Sequence, residues 1–490
     1  MAERKKQYIP LQGDAALRGV QSRRIALQVL IQVHGGAYSN NALPEALKSC
    51  QLSKRDKAFV TLLVQGVTRN TSLLDDVIKR FSKNAIETLP PALLNTLRLA
   101  FFQLKFLKET PASAVLNTSA SIAKIVGHKG MASYTTAVLH SYLRSAEAKL
   151  EAESDTADGA PETGEAGEEP NTPAELSRKY TIPEWLVERW IKNFGQDEAL
   201  SLLKFSTSLP RIVLRANEIN ITPEGLGIIL DNADIKYEVS PLVPSCLVLD
   251  PHGRGRGSPS GIPGYNEGMF SIQDDTAALV AKVVEPKPGE LIIDLCAAPG
   301  GKSLYLGELM ENKGRIIAVD TRANRLELLK TNRRRLGITN IEVMEADGTT
   351  LEFEPQVDRI LIDAPCSGTG VLNRRSDLRH RRKPEDIASL ATLQYELLAN
   401  AQRLLKPGGV LVYATCAVEP EENEHVIDKF VANHPDFRFD DLTPYFPQEL
   451  IEQHDLSYRL RTGKIQILPS MSNLSGFFIA RLIKVEKAMT

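Results

Sequence analysis

Cysteine is scarce in this chain. Five residues, Cys50, Cys246, Cys296, Cys366 and Cys416, are scattered over 490 positions, with no C-x-x-C pair among them. That number and spacing exclude a disulfide framework and a zinc knuckle, so each should be a free thiol in a reducing compartment, and no metal is expected. A single thiol is ordinarily a small buried apolar residue. Long apolar runs are missing too. Even Leu97–Leu107 is broken by Arg98, Gln103 and Lys105, so no membrane span is expected. Met1–Gly19 carries Arg4, Lys5 and Lys6 without an apolar run behind them and does not read as a signal peptide. A cytoplasmic protein is expected.

An excess of positive charge is also lacking, which at first argues against a nucleic-acid partner. The formal net charge is -2, but residues 151–175 hold nine acids and no Lys or Arg. With that segment set aside, the remainder carries +7, which permits an RNA partner without requiring one. Hydrophobic residues at 42% and a length of 490 fit an ordinary globular protein with about three domains.

From about Ser22 to Ser145 apolar residues recur at spacings of three and four, as in Ile25, Leu27, Val29, Leu30 and Val33. Pro90-Pro91 and the Gly127–Gly130 stretch punctuate these helices, so residues 1–150 are expected to be all-α. Residues 151–175 have no large apolar side chain and are expected to be a disordered linker. A helix over Pro183–Leu203, a strand over Arg211–Arg215, a capped helix over Thr222–Asn232 and strands between Tyr237 and Leu249 make residues 176–265 a small α+β unit. Beyond Met269 strand, turn and helix alternate. Strands are predicted at Leu291–Leu295, Arg315–Asp320, Ile341–Met344, Arg359–Asp363, Val410–Thr415 and Gly476–Ile483. Such alternation predicts a doubly wound, Rossmann-like α/β domain over residues 266–490, its sheet parallel and its ligands at the carboxyl ends of the strands.

The first turn of that domain reads Cys296-Ala297-Ala298-Pro299-Gly300-Gly301-Lys302. Small residues let backbone N–H groups approach a ligand, and the helix N-terminus favours an anionic group. Asp320 lies 20 residues past Gly300, where an acid can take a ribose hydroxyl pair. Acids after strands also serve as helix caps, which is the competing reading of Asp320, Asp347 and Asp363. The turn lacks the G-x-G-x-x-G of a dinucleotide site and the first Gly of a P-loop. Adenosylmethionine has an amino-acid end and a ribose but no pyrophosphate, so a shorter turn suffices for it.

Two thiols leave neighbouring strand ends: Cys366 in Asp363-Ala364-Pro365-Cys366-Ser367-Gly368-Thr369-Gly370, and Cys416 in Tyr413-Ala414-Thr415-Cys416-Ala417-Val418. Both should face the cofactor crevice. A thiolate can add to a ring carbon of a pyrimidine and give the neighbouring carbon enamine character, so that it can take a methyl group. A carboxyl beside a ring nitrogen would stabilise the developing charge, and Asp363 is placed for that. Spacing alone does not say which cysteine attacks. Arg374, Arg375, Arg379, Arg381, Arg382 and Lys383 follow directly, with one acid, Asp377, among them. Their position beside the crevice suits a phosphate backbone. Arg254 and Arg256, in a Gly-rich loop, are weaker candidates.

The run Asp294-Leu295-Cys296-Ala297-Ala298-Pro299-Gly300-Gly301-Lys302 resembles the first cofactor motif of the Nol1/Nop2/Sun family of RNA cytosine-5 methyltransferases, which also combines Pro365-Cys366 with Thr415-Cys416. The resemblance implies S-adenosylmethionine as cofactor, held by residues 296–302 with Asp363, Asp320 on the ribose and Asp347 beside the adenine. It implies Cys416 as the nucleophile, with Cys366 assisting release of the methylated product. Residues 22–145 resemble the NusB fold, known for RNA binding, and Arg215–Thr222 resembles the small RRM- or ferredoxin-like unit that precedes the catalytic domain. Asn220 and Ser475 stand where the family commonly has Lys and Asp. This domain order is that of family members acting on 16S ribosomal RNA. The implied substrate is therefore a cytosine in 16S RNA, naked or in an early assembly intermediate, and the enzyme is expected to be a monomer.

Rival readings are the same chemistry on transfer RNA, opposed only by the domain order, and a catalytically idle assembly factor that binds ribosomal RNA. An idle protein should have lost Cys416, Asp363 or the Gly turn, and all are present. A small-molecule methyltransferase would need neither the paired thiols nor the basic run.

Overall fold

A computed structural model describes residues 15–107, 109–145, 171–250 and 261–485. Most of the predicted acidic linker, and Arg254 and Arg256, lie outside the described residues. The chain divides into two compact units, residues 1–184 with 375–377, and residues 185–374 with 378–490.

The described part of the first unit is helical up to Leu143, as the periodicity predicts. Ser53 starts the Lys54–Arg69 helix by accepting from the Asp56 N–H, Pro91 opens the Pro91–Phe106 helix, and Gly127 ends the Ala112–Val126 helix. Leu27, Leu63, Val64, Leu97, Phe101 and Leu139 meet in one apolar core. Gly66 is required there, because a Cβ would sit 1.9 Å from the Phe102 ring. A capping box between Thr172 and Glu175 begins a helix at Pro173, so the predicted linker ends short of Glu175. No helix among the described residues is long and apolar enough to cross a membrane.

The second unit opens with helices Glu184–Phe194 and Gln196–Thr207, which replace the single predicted helix; Gly195, at φ 82°, separates them. A four-stranded antiparallel sheet follows: β1 (Val213–Ala216), β2 (Tyr237–Val239), β3 (Cys246–Leu249) and β4 (Phe270–Ile272), in the order β2-β3-β1-β4. The predicted boundary near Tyr265 is therefore too early, since β4 pairs with β1 through Leu214 and Ile272. Arg215, fully buried in β1, donates to Glu308 and to Gln273 Oε1 (2.7 Å) and lies 3.9 Å over the Tyr305 ring, which fastens this sheet to the Gly301–Leu309 helix.

The larger sheet contains β5 (Leu291–Asp294), β6 (Arg315–Asp320), β7 (Ile341–Glu345), β8 (Val357–Asp363), β9 (Leu405–Thr415), β10 (Phe437–Phe439), β11 (Lys464–Ile467) and β12 (Phe477–Lys484). Its order is β10-β12-β9-β8-β5-β6-β7, with β11 beside β12. Strands β5 to β9 pair parallel as predicted. The final strand does not: β12 runs antiparallel to β9, so the sheet is mixed. The connection from β11 to β12 is too short for a crossover, so the two form an antiparallel hairpin, and β12 enters the sheet beside β9 as part of that hairpin. Ile293, Ile317 and Ile360 pack on one face with Leu397 and Leu398, while Ile292, Ile316 and Leu361 pack on the other with Leu279 and Leu304. Burial on both faces is why the central strands read as unbroken apolar runs.

Candidate active site

Register places the site. Asp294 of β5 lies opposite Ala318 of β6 and Leu361 of β8, and Asp363 lies opposite Ala414 of β9. Parallel pairing therefore delivers the 295–300 turn, Asp320, the Cys366 loop and the Cys416 loop to one sheet edge. At Gly300, φ is 107° and a Cβ would lie 2.6 Å from Leu329 Cγ, so glycine is needed for both backbone and space. A Cβ at Gly301 would meet nothing closer than 3.6 Å, which leaves the start of the helix open. Asp320 is buried and accepts from the Ala298 N–H (3.2 Å) and the Arg322 N–H (3.0 Å), tying the second strand end to the turn. Lys302, itself buried, pairs with Asp363 at 2.7 Å and lies 5.0 Å over the Phe477 ring.

Two buried polar atoms beside the glycine turn have no protein partner. One is Asp294 Oδ1, whose carboxyl accepts from Ser303 Oγ (2.6 Å) through the other oxygen and is pushed up to about 7 by burial. The other is Gln273 Nε2, on the side chain nearest Gly301. An acceptor and a donor at a glycine turn suit the ammonium and carboxylate of an amino-acid end. Asp347 is placed differently from Asp320. It is exposed, and its carboxyl is lowered by bonds from the Thr349 N–H (2.9 Å) and hydroxyl (2.7 Å), as in a turn cap. Cys296 lies at the turn with its thiol pushed far up by burial and by the acids around it, so it stays neutral.

Cys366 and Cys416 come together, Sγ to Sγ 3.2 Å. The hydrogen bond it shares with Cys416, then burial, raise Cys366 well above the usual thiol range, which favours Cys366 as the protonated, donating member. The Cys366 loop is held by Arg382, which donates to the carbonyls of Cys366 (2.9 Å) and Ser367 (3.0 Å). The two loops are laced by Gly370 N–H to the Cys416 carbonyl (3.0 Å) and Val418 N–H to Thr369 Oγ1 (3.0 Å). Gly476 packs so closely on Gly370 that a Cβ there would fall 2.2 Å from a carbonyl oxygen.

The basic run does not form one solvated strip. Arg374 pairs with buried Asp274, whose carboxyl it holds down against burial, and Arg379 is buried and donates to the Ser206 carbonyl. Arg381 and Arg382 are half-buried, whereas Arg375 and Lys383 are exposed. Ser475, where the family commonly has Asp, donates to Asp274 (2.8 Å). Asn220 is turned inward onto the carbonyl of Gly268 (3.2 Å).

Glu422 escaped the sequence reading. It is fully buried, accepts from the Ser367 N–H (2.8 Å) and from Gln394 Nε2 (3.0 Å), and burial raises its carboxyl. The signal available for it is the density of acids directly after Cys416: Glu419, Glu421, Glu422 and Glu424.

A mixed sheet of this order, with a glycine turn after its first central strand and acids at the following strand ends, is that of an S-adenosylmethionine-dependent methyltransferase. Comparison with known proteins agrees along the chain: family models match for 16S rRNA methyltransferase RsmB/F at residues 281–483, the NusB family at 20–144 and the RsmF/B-like ferredoxin-like domain at 182–254. The chain is 36% identical to a probable ribosomal RNA small subunit methyltransferase B of Bacillus subtilis, over 94% of its own length and 98% of the relative's. Among solved structures, PH0851 superposes with a TM-score of 0.78 at 28% identity, covering 98% of this chain and 100% of that one. NSun6 of Pyrococcus horikoshii, solved with the adenosylmethionine analogue SFG, covers 62% of this chain and 99% of its own, at 25% identity and a TM-score of 0.54. The chain belongs to the RsmB/F family of 16S rRNA methyltransferases, and its cofactor is S-adenosylmethionine. Among the described residues no group of His, Cys, Asp and Glu could hold a metal ion.

Proposed function

We propose that this enzyme methylates carbon 5 of a cytosine in small-subunit ribosomal RNA through a covalent bond between Cys416 and carbon 6. The observation that carries the reading is the thiol pair, 3.2 Å apart on neighbouring strand ends beside the cofactor turn. When bound, S-adenosylmethionine supplies the methyl group. Residues 296–302 hold its amino-acid end, with Asp294 Oδ1 and Gln273 Nε2 as the acceptor and donor for it, and Asp320 takes the ribose hydroxyls. Asp347 lies at the adenine end.

The Cys366 S–H group stabilises a Cys416 thiolate, which attacks carbon 6. Asp363, oriented by Lys302, bonds the N3 edge while carbon 5 gains electron density. After carbon 5 has taken the methyl, its proton must pass to a base before the Cys416–carbon 6 bond can break. Cys366 assists that release. The reacting cytosine must be unpaired or flipped, since carbon 6 is shielded within a stacked duplex. Lys383, in the unit that carries the site, is exposed and suited to hold a phosphate nearby. The test is incubation with labelled adenosylmethionine and deproteinised small-subunit RNA, followed by mapping of the label. We expect 5-methylcytosine in 16S RNA; label in transfer RNA alone would overturn the substrate and leave the chemistry standing.

A further inference from the structure

The loop that carries Cys416 is gripped from outside the catalytic domain. Glu419, three residues on, is fully buried, and both of its carboxylate oxygens face the Glu184–Phe194 helix. Trp190, also fully buried, donates its indole N–H to Oε1 at 3.1 Å. Arg189 Nε donates to Oε2, and its guanidinium continues to Glu421. Arg189 and Trp190 lie in the ferredoxin-like stretch, residues 182–254, not in the methyltransferase stretch, residues 281–483. A buried carboxylate needs such partners, and these two reach it from a different part of the chain. From within the catalytic domain the loop is held by Gly370 N–H on the Cys416 carbonyl, by the Thr415 and Thr369 hydroxyls, which accept from the Ala417 and Val418 N–H groups, and by Asn423 Nδ2, which donates to the Ala417 carbonyl (3.1 Å).

We propose that Trp190 and Arg189 are positioning residues for Cys416: by holding Glu419 they set the thiol where it can meet carbon 6. This rests on Cys416 being the nucleophile. The ferredoxin-like stretch would thereby help to build the reactive centre.

The test uses the full chain. Trp190→Phe keeps the ring and removes the donor; Arg189→Gln removes the charge. Each is followed by the rate of covalent trapping on RNA containing 5-fluorocytidine, whose fluorine blocks release, and by adenosylmethionine affinity. We expect trapping to slow by about tenfold in each, the worth of one hydrogen bond to a buried charge, with cofactor affinity unchanged. Glu419→Gln in the Arg189→Gln background should recover most of the rate, because a neutral amide needs no cation. Unchanged trapping, or an equal loss of cofactor affinity, would overturn the proposal. If Cys416→Ser still traps RNA, the nucleophile assignment fails separately. The grip is then judged by alkylation of Cys416 with iodoacetamide relative to Cys296: an altered ratio in Trp190→Phe supports it and an unaltered one overturns it.

Discussion

The two units bury different chemistry. In the helical unit, among the described residues up to Ser145, the interior is apolar with a few hydroxyls and amides, and its one buried charged side chain, Arg23, rests on Gln103 (2.6 Å) and the Phe59 ring. In the second unit Asp274, Asp275, Asp294, Asp320, Glu308, Glu419 and Glu422 are all buried. Burying a carboxylate costs stability unless it is paired. Most of these acids are paired and serve to fasten loops, while Asp294 keeps one oxygen without a protein partner at the cofactor turn. The helical stretch up to Ser145 uses its interior mainly for cohesion. The second unit uses charge to fix the position of reactive groups.

That contrast can be broken by substitution. Leu97→Ala, in the apolar core of the helical unit, should cost about 2–5 kcal/mol in thermal or denaturant unfolding of that unit, while adenosylmethionine affinity stays unchanged. Glu422→Ala should cost less, about 1–3 kcal/mol, because it strands the Ser367 N–H and the Gln394 amide. It should also slow product release, read as a longer-lived protein–RNA adduct on gels, since Ser367 adjoins Cys366. Asp294 gives a pH signature. Its folded carboxyl titrates near 7 against a reference of 3.8, so the folded unit holds an extra proton between those values. The stability this contributes is complete below 3.8 and is lost as pH rises through about 7. An ammonium group reverses the preference, so adenosylmethionine binding should tighten from pH 6 to 8 in the wild type, and Asp294→Asn should flatten that slope in calorimetric titrations. The smallest effect belongs to exposed Lys383: Lys383→Ala should lower RNA affinity uniformly and reduce the slope of log affinity against log salt by about 1. Arg379→Ala, by contrast, should act on folding, because that guanidinium is buried.

How much of this was legible in the sequence follows from the reach of each interaction. Ile316–Val319 and Ile360–Ile362 announced parallel strands because both sheet faces are covered. Phe437–Phe439, Lys464–Ile467 and Phe270–Ile272 are three- or four-residue strands, too short to carry a periodicity of their own, and the partners of the first and last lie some tens of residues away. The reversal of β12 depends on a neighbour, β11, that was not seen. The glycine turn and the two cysteine loops were legible because each lies within a few residues of a strand end. The partners of those motifs were not: Arg374 reads as a phosphate ligand until Asp274, a hundred residues earlier, is beside it, and Glu419 reads as one acid in a run until Trp190 and Arg189 close on it.

The central claim is that Cys416, and not its neighbour 3.2 Å away, bonds to the cytosine. Incubating wild type, Cys416→Ser and Cys366→Ser with substrate RNA and adenosylmethionine, then resolving covalent protein–RNA complexes under denaturing conditions, distinguishes them. The account predicts no complex and no methyl transfer for Cys416→Ser, and an accumulating complex for Cys366→Ser. A complex that accumulates in Cys416→Ser, or turnover by that variant at the wild-type rate, would contradict it.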